Sequence, residues 1–279
     1  MINIIHAIHN FSKYNITKIG TFYKNSIRIQ QVGDSLEFFI KDLLADSINA
    51  DRKEKDLLYN KYFSYLGGIN NPPDLIIKGG DAFEIKKIEH LAGSIPLNSS
   101  YPKQRLFSTD TFINKACINC ENWSVKDIVY VIGTIDKKSN EIKSLWMVYG
   151  NCFCAGKQIY EKIKTKISNG INEIPGVEFS DTKELGRVNK IDPLGITYLR
   201  IRGMWGIEHP VNIFGYMLKN YEENILNVIM LKEKFSSFSE KDIAVLKMDK
   251  NINIDFIKIK NPDNPAILLD AVYIYVKRK

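Results

Sequence analysis

The sequence lacks the marks of membrane and exported proteins. None of its 279 residues falls in an apolar stretch long enough to cross a bilayer. Its first residues do not combine a basic segment, an apolar core and a small-residue cleavage site, so we expect cytoplasmic residence and no membrane partner. Internal repeats and low-complexity linkers are also missing, which favours a single domain over residues 1–279.

Cysteine is scarce, with only 4 residues, and in the cytoplasm we expect these to be reduced thiols. Cys117 and Cys120 have CxxC spacing, whereas Cys152 and Cys154 have CxC spacing. Four thiolates could build a structural zinc site, although the second spacing is unusual for one. Small buried thiols are the commoner alternative, and both interpretations stay open.

Acidic residues are outnumbered by basic ones. The chain has 39 Lys and Arg against 32 Asp and Glu, a net charge of +7 and a pI near 9.0. This excess favours a polyanionic partner, while a positive surface that serves solubility is the alternative. With 44% hydrophobic residues, the chain is long enough to bury a sizeable core.

The most informative local pattern is a predicted β-hairpin. Asp74 opens the apolar run 75–77, a glycine turn follows at 78–81, and a second apolar run carries Glu84 and Lys86. Residues two apart on a strand share a face, and Asp74 can reach that face across the hairpin. The pattern therefore predicts two carboxylates and an ammonium group at one point.

These three groups suit phosphodiester hydrolysis. Carboxylate oxygens are the ligands that Mg²⁺ prefers, and a metal ion next to a lysine can activate an attacking water. Such short patterns also occur by chance. The alternative is a solvated strand face that carries an ordinary surface ion pair.

Other elements follow from periodicity and capping signals. A helix is predicted from near Gln31 to Leu44, and Asp110 is the expected N-cap of a helix that runs to Trp123. Further predictions are a helix at 53–62, strands at 129–135, 145–151, 196–201 and 271–276, a helix at 157–167, and mostly loop at 170–195. Together they indicate an α/β fold.

Longer strings support a resemblance to a known family. They lie at 65–67 with 71–74, at 80–89, at 97–103, at 183–189 and at 199–207. In these strings the sequence resembles type II restriction endonucleases of the NgoPII family, in the PD-(D/E)xK nuclease superfamily. The resemblance implies a central mixed β-sheet flanked by helices and an elaborated C-terminal half. It places a catalytic core at about 30–155 and DNA-recognition elements at about 94–106 and 183–210.

The resemblance also implies an activity. Such an enzyme cleaves double-stranded DNA at GGCC by Mg²⁺-dependent hydrolysis, leaves 5′-phosphate ends, and serves a restriction-modification system. A palindromic target favours a homodimer, with one active site for each strand. A DNA methyltransferase of the same system is expected to protect the host genome, without being a stable partner.

Catalytic roles follow from the hairpin and the resemblance together. Asp74 and Glu84 are expected to hold Mg²⁺, with the backbone carbonyl of Ile85 as a third ligand. Lys86 is expected to orient or deprotonate the attacking water. Superfamily members commonly carry another acidic residue on a preceding helix, and Glu37 matches that position, where a surface glutamate is the alternative.

Base recognition at GGCC calls for donors aimed at guanine, and arginine is the commonest reader. Arg200 and Arg202 are the leading candidates because they lie two apart at the end of a predicted strand. Phosphate contacts or salt bridges are the alternative roles. The other expected DNA-binding residues are Asn98, Ser99, Ser100, Lys103, Arg187, Asn189 and Trp205. Tryptophan at such a position is more often an anchor than a wedge between bases.

Three rival functions remain open from the sequence. A nuclease of the same superfamily with a role in repair or mobile elements would cut without a fixed four-base site. A DNA-binding module that has lost catalysis is a second rival, against which the intact Asp74, Glu84 and Lys86 argue. A zinc-stabilised binding protein built on the cysteines is the third.

Overall fold

A computed structural model describes residues 2–24, 32–67, 71–110, 112–180, 185–218 and 221–278. Three sequence-based expectations fall partly outside these ranges. They are the helix start at Gln31, the N-terminal part of the 183–189 string, and the second residue of the helix expected after Asp110.

Ten α-helices lie within the described ranges. Helix α3 confirms the helix predicted to end at Leu44, and α4 confirms the one predicted at 53–62. The ten helices are α1 Ile4–Tyr14, α2 Ile19–Lys24, α3 Val32–Ala45, α4 Arg52–Tyr62, α5 Lys115–Ile118, α6 Gly150–Phe153, α7 Lys157–Asn172, α8 Pro210–Phe214, α9 Lys232–Ser236 and α10 Glu240–Met248.

A central mixed β-sheet dominates the fold. Its main path runs β1-β2-β3-β6-β7-β12-β14-β13, and β5 adds to β6. The strands of this sheet are β1 Phe63–Leu66, β2 Leu75–Ile77, β3 Ala82–Ile88, β5 Arg105–Phe107, β6 Val125–Ile135, β7 Ile142–Tyr149, β12 Asn224–Leu231, β13 Ile252–Asn261 and β14 Asn264–Lys277. Helices flank this sheet, as the α/β prediction requires. Three of its strands, β12, β13 and β14, come from the C-terminal half, after the predicted end of the catalytic core at about residue 155.

Two smaller sheets carry the segments expected to recognise DNA. One pairs β4 Ile95–Asn98 with β11 Trp205–Ile207. The other has the order β10-β9-β8, with β8 Glu178–Ser180, β9 Gly186–Asn189 and β10 Leu199–Ile201.

The predicted hairpin is present. β2 and β3 pair antiparallel around the turn at residues 78–81, and β3 then pairs in parallel with β6. Glu84 lies in register with Tyr130, and Lys86 with Ile132, so these four side chains share one face of the sheet. Packing in the interior of the sheet therefore fixes where the two catalytic candidates point.

Helix α3 covers the opposite face of the sheet. Gly133 lies in register with Lys87, one residue beyond Lys86, and therefore faces away from the catalytic candidates. A Cβ atom at Gly133 would lie only 2.7 Å from Cδ2 of Leu36 on α3. This close approach requires glycine on the strand, and it places Leu36 of α3 on the face opposite to that of Glu84 and Lys86.

Hydrogen bonds and an ion pair from distant residues hold the turn of the β2–β3 hairpin in place. Asp81, at the start of β3, accepts hydrogen bonds from the Tyr149 hydroxyl and from Lys234 Nζ, both at 2.7 Å. Lys126 Nζ donates to the carbonyl of Gly80 at 2.8 Å. Because Lys234 belongs to α9, the C-terminal half of the chain helps to hold the β2–β3 hairpin.

One local prediction was wrong and two differ from the structure in detail. A helix capped by Asp110 does not form, because the Asp110 carboxylate instead binds Lys103 and the backbone N–H of Phe107; only the short helix α5 forms, capped by Asn114. The described residues of the segment 170–195 are mostly loop, as predicted, but the segment also contains the strands β8 and β9. Helix α7 extends to Asn172, beyond its predicted end at residue 167.

No helix in the described ranges is long and apolar enough to cross a membrane.

Candidate active site and DNA-recognition segments

Asp74 is fixed at the mouth of the hairpin by the backbone of β3. Its own N–H donates to the carbonyl of Phe83 at 2.9 Å, and its Oδ2 accepts a hydrogen bond from the N–H of Ile85 at 2.5 Å. The first bond ties the backbone of Asp74 to Phe83, and the second ties its carboxylate to Ile85, the residues on either side of Glu84. The hairpin thus brings Asp74 to Glu84, as the sequence predicted.

Glu84 and Lys86 form a close ion pair on the same strand. The Glu84 Oε1 to Lys86 Nζ distance is 2.6 Å, and Glu84 is only 6% exposed. Burial lowers the pKa of Lys86, but the charge of Glu84 and its hydrogen bond outweigh burial, so the net pKa of Lys86 is raised. Lys86 is therefore a firmly protonated ammonium group in this geometry.

The carboxylate pair is electrostatically unfavourable without a cation. Burial and the nearby charge of Glu84 together raise the pKa of Asp74 to about 8. Glu84 also has a buried oxygen, Oε2, without a hydrogen-bond partner in the described part of the chain. Two converging carboxylates with an unsatisfied inner oxygen fit a hard divalent cation, which would relieve both the repulsion and the missing bond.

Glu37 lies close enough for its charge to contribute to the raised pKa of Asp74. Its carboxylate pairs with Lys41 on the next turn of α3, at 2.9 Å, and its side chain is 34% exposed. Within the described ranges no three Asp, Glu, His or Cys residues are grouped so as to hold one metal ion. The position of Glu37 therefore agrees with electrostatic support of Asp74 and does not agree with a third direct carboxylate ligand.

A cavity of about 80 Å³ brings the catalytic candidates together with the first recognition segment. Asp74, Glu84 and Lys86 line it on one side. The segment 98–100 lines it on the other, together with Asn71 and Phe112, which the sequence reasoning did not single out. Asn71 lies in a string that carried the resemblance, a signal that could have identified it. Phe112 had no such signal.

The two recognition segments meet at the β4–β11 pair. Trp205 is in register with Asn98, so the strand that follows Arg202 is hydrogen-bonded beside the cavity. The Trp205 ring packs edge-on against Tyr101 and Tyr160, with centroid distances of 6.0 and 5.7 Å. Trp205 thus anchors the second recognition segment to the first and to α7. An anchoring role is the one that the sequence analysis gave as the more common for a tryptophan at such a position.

The three-stranded sheet collects the arginine candidates. Arg187 on β9 lies directly opposite Arg200 on β10, so both point to one face. The Arg187 guanidinium stacks over the ring of Tyr198, 3.9 Å from its centroid, and Arg187 Nε is buried without a hydrogen-bond partner among the described residues. Arg202 is exposed one residue beyond β10. Sequence reasoning missed Tyr198, because nothing local indicates the stacking.

Two expected DNA contacts are placed differently from the prediction. Lys103 is 4% exposed and its Nζ lies 3.0 Å from Asp110 Oδ2, so its charge is buried and paired; we correct its assignment as a DNA contact. Ser100 lines the cavity but is only 8% exposed, and its hydroxyl donates to the carbonyl of Tyr101 at 3.4 Å. Asn189 donates to Ser180 Oγ on the adjacent strand β8.

All four cysteines are free thiols. Burial raises the pKa of Cys117 to about 12 and raises the pKa values of Cys152 and Cys154 further. Within the described ranges no three His, Cys, Asp or Glu residues are grouped so as to hold a metal ion. Cys117, Cys152 and Cys154 are buried as small apolar side chains, and Cys120 is partly buried.

Comparison with known proteins identifies the family of this chain. The profile of the NgoPII restriction endonuclease family matches residues 2–260. The chain belongs to the NgoPII restriction endonuclease family. A curated relative, the type II restriction enzyme NgoPII of Neisseria gonorrhoeae, is 45% identical over 274 residues, which cover 98% of each chain. No solved structure matches the chain.

Membership in the NgoPII family fixes the general activity. The protein is a type II restriction endonuclease, a hydrolase that cleaves double-stranded DNA at specific sites in a restriction system. Enzymes of this type generally use divalent metal ions. The fold agrees, since its central mixed sheet flanked by helices is the architecture expected of a restriction endonuclease.

Proposed function

We propose that this endonuclease recognises GGCC and hydrolyses both strands with Mg²⁺, leaving 5′-phosphate and 3′-hydroxyl ends. The observation that carries the proposal is the grouping of Asp74, Glu84 and Lys86 around one cavity with the 98–100 segment. A cavity that joins a cation site to a recognition segment has the composition that sequence-specific cleavage requires. The choice of GGCC comes from the resemblance to the family.

Asp74 and Glu84 would hold the Mg²⁺ ion, and the backbone carbonyl of Ile85 is proposed as a further ligand. When bound, the ion supplies Lewis acidity and stabilises negative charge that develops on the phosphate. Asp74 keeps its orientation through the N–H of Ile85, and Glu84 through its place in the buried strand β3. Glu37 contributes negative charge from α3 that favours cation binding.

Lys86 would act on the water and the phosphate as a charged donor. Its raised pKa supports hydrogen-bond donation by an ammonium group over proton abstraction in the geometry described here. With the carboxylate of Glu84 engaged by a cation, Lys86 Nζ is free to orient the attacking water and to neutralise the phosphate oxygen. The water would attack the phosphorus in line with the P–O3′ bond, which breaks; the water would lose its proton to solvent, and the 3′-oxygen would take up a proton to leave as the 3′-hydroxyl.

The arginine face of the three-stranded sheet is the proposed base reader. Arg187 and Arg200 present two guanidinium groups to one face, and guanine O6 and N7 are the preferred acceptors for such groups. Arg202, Asn98, Ser99 and Asn189 are proposed as additional DNA contacts. Trp205 is proposed to hold this region against the cavity through Tyr101 and Tyr160.

The partners of the proposed enzyme are duplex DNA and a second copy of the chain. A palindromic site is cut on both strands most simply by a two-fold dimer with one active site for each strand. A methyltransferase of the same system would protect the host genome without forming a stable complex.

The proposal is tested by digesting a plasmid of known sequence with the purified protein, in Mg²⁺ and in EDTA. We expect discrete fragments that map to GGCC in Mg²⁺ and none in EDTA. Lys86→Ala is expected to cut at least about 100-fold more slowly and still to shift a GGCC duplex in a gel. Fragments that map to another sequence, or random nicking, would overturn the proposed specificity; an active Lys86→Ala protein would overturn the proposed site.

A further inference from the structure

Helix α7 carries a stripe of exposed isoleucines. Ile159, Ile163 and Ile167 recur every four residues, so they line one side of the helix. Their exposed fractions are 46%, 47% and 46%. All 16 residues of α7 lie in the described ranges, and none of them is buried. A helix of this length is marginally stable alone and is normally held by packing of its apolar side, so the stripe calls for a partner.

The adjoining side of α7 is already packed against the rest of the chain. The Tyr160 ring stacks on Tyr101, with centroids 5.4 Å apart, and meets Trp205 edge-on. Ser168 Oγ donates to the carbonyl of Leu185 at 2.7 Å. These contacts attach α7 to both segments proposed to recognise DNA. Whatever covers the isoleucine stripe therefore lies next to those segments.

The charged residues around the stripe are mostly basic. Lys162 and Lys166 are exposed on its outer side. On the inner side Lys164 lies over an aromatic ring, and Lys157 pairs with Glu161 at 3.6 Å. Phosphates of DNA bind lysine and leave isoleucine without a contact. The stripe itself therefore requires an apolar partner, and the lysines form the rim of the contact.

A second copy of the chain meets this requirement. A two-fold axis brings a surface onto itself, so an apolar stripe meets an equally apolar one. The even spacing is symmetric about Ile163, and an axis at that residue places Ile159 of one copy against Ile167 of the other. Gly170 continues the stripe, and a Cβ atom there would meet nothing within 4 Å. Packing within the chain does not require this glycine, whereas close approach of another helix uses it.

The proposed DNA target also determines where two copies meet. A four-base-pair site spans only about 14 Å of duplex, and the two-fold axis passes through its centre. Two chains that read both halves must therefore approach each other beside their recognition segments, where α7 lies. A stable dimer takes about 800 Å² from each copy. The exposed Ile174 and Val177, just beyond the helix, extend the apolar surface toward that size.

We propose that the stripe of Ile159, Ile163 and Ile167 is the centre of a dimer interface and packs against the same stripe of a second copy. The inference rests on the proposed function for the existence of the dimer, and it adds the surface that forms it. Each α7 then joins the recognition segments of its own chain to the other copy. The rim lysines repel across the interface, so added salt should strengthen the free dimer by screening them.

Sedimentation equilibrium of the full-length protein tests the surface. Ile163→Glu places two carboxylates at the axis and should raise the Kd of the dimer at least about 100-fold. Ile267→Glu is the matched control, because it makes the same change at an isoleucine of β14 that is 49% exposed. It should dimerise as the parent does. Loss of the dimer in Ile267→Glu, with an intact dimer in Ile163→Glu, would overturn the proposal.

Crosslinking supplies a test that keeps the apolar contact largely intact. Ile163→Cys should join two copies through a short bis-maleimide reagent, because the axis brings the two thiols together. Ile267→Cys and the parent, whose Cys120 is only partly buried, are the controls and should stay uncrosslinked. No crosslink at residue 163 under conditions in which the protein sediments as a dimer would overturn the proposed surface.

The outcomes separate this surface from the proposed function. A parent dimer that Ile163→Glu leaves unchanged overturns the surface and keeps the homodimer. A parent that stays monomeric with and without a GGCC duplex overturns both, whereas plasmid digestion reports the cleavage specificity independently. Glutamate is a good helix former and Ile163 is about half exposed, so Ile163→Glu should match the parent in circular dichroism.

Discussion

At the scale of single residues, the site stores electrostatic repulsion that a cation relieves. The N–H of Ile85 holds Asp74 beside Glu84, and burial keeps water from screening their charges. Lys86 compensates part of the charge of Glu84, but Glu84 Oε2 stays without a partner in the described structure. A protein that must bind a metal ion has a reason to keep such a pair, because the cost is recovered when the ion binds.

The raised pKa of Asp74 predicts an unusual pH dependence in EDTA. The folded protein holds this proton up to about pH 8, whereas the unfolded chain releases it near the ordinary value of 3.8. The contribution of Asp74 to stability is therefore fully present below about pH 4 and is lost as the pH rises through 8. Thermal unfolding in EDTA from pH 5 to pH 9 should show this loss, and Mg²⁺ should reverse it at pH 8 and above.

Asp74→Asn is the matched variant for that experiment. The amide has the same shape and does not titrate, so the difference in melting temperature between variant and parent should grow with pH, in favour of the variant. An unchanged difference across the range would contradict the assignment of the raised pKa to Asp74.

The Lys103–Asp110 pair gives a second residue-scale prediction. Both side chains are almost fully buried, at 4% and 3% exposure, so Asp110→Asn leaves an uncompensated charge and should lower the free energy of unfolding by about 3–5 kcal/mol. Replacing both residues, as Lys103→Met with Asp110→Leu, should recover most of that loss, as denaturant titration can measure. Unchanged stability in Asp110→Asn together with weaker DNA binding would return Lys103 to the set of DNA contacts.

At the scale of elements, the sequence predicted the helices and strands that depend on neighbouring residues, and it missed those that depend on distant contacts. The hairpin was predictable because its strands, turn and charged positions are adjacent in the chain. The fate of Asp110 was not, because Lys103 removes its carboxylate from the capping role. The pairing of β4 with β11 joins residues about a hundred positions apart, and no local pattern in a single sequence indicates such a contact.

The three-stranded sheet illustrates the same limit. Arg187 and Arg200 were both candidates, yet their position opposite each other depends on the register between β9 and β10. Two guanidinium groups side by side concentrate positive charge on this face of the sheet, and positive charge attracts polyanionic DNA.

Stacking on Tyr198 is predicted to hold Arg187 ready for guanine. Tyr198→Ala should reduce the discrimination between GGCC and a site with one changed base pair by about fivefold, since a cation–π contact is worth about 1 kcal/mol. Tyr198→Phe retains the ring and should behave as the parent. The measurement is kcat/KM on paired oligonucleotide duplexes.

A general loss of activity would not support this role. Tyr216→Ala removes another exposed tyrosine, one that lies beneath Lys260 at 5.7 Å, and serves as the control. If Tyr198→Ala lowers cleavage of both duplexes by the same factor, Tyr198 stabilises the sheet and does not position Arg187 for reading bases.

At the scale of the whole molecule, the C-terminal half completes the core. Strands β12, β13 and β14 extend the sheet that carries the proposed active site, and Lys234 of α9 binds Asp81 at the turn of the β2–β3 hairpin. The sequence predicted the α/β class and the last strand. It did not predict that β12 would pair with β7 in the central sheet, because strand order depends on contacts between residues that are far apart in the chain.

The same scale bears on the proposed dimer. A single chain has one set of Asp74, Glu84 and Lys86, whereas a palindrome presents two equivalent scissile bonds, so a two-fold dimer should cut both strands during one encounter. Sedimentation at micromolar concentration should therefore give twice the mass of the 32.1 kDa chain. A supercoiled plasmid with one GGCC site should pass to the linear form with little nicked circle. Mixed dimers of parent and Lys86→Ala chains should instead accumulate nicked circles, because only one of the two sites can act. A monomer in sedimentation, with nicked circles accumulating for the parent itself, would show that each strand is cut in a separate encounter.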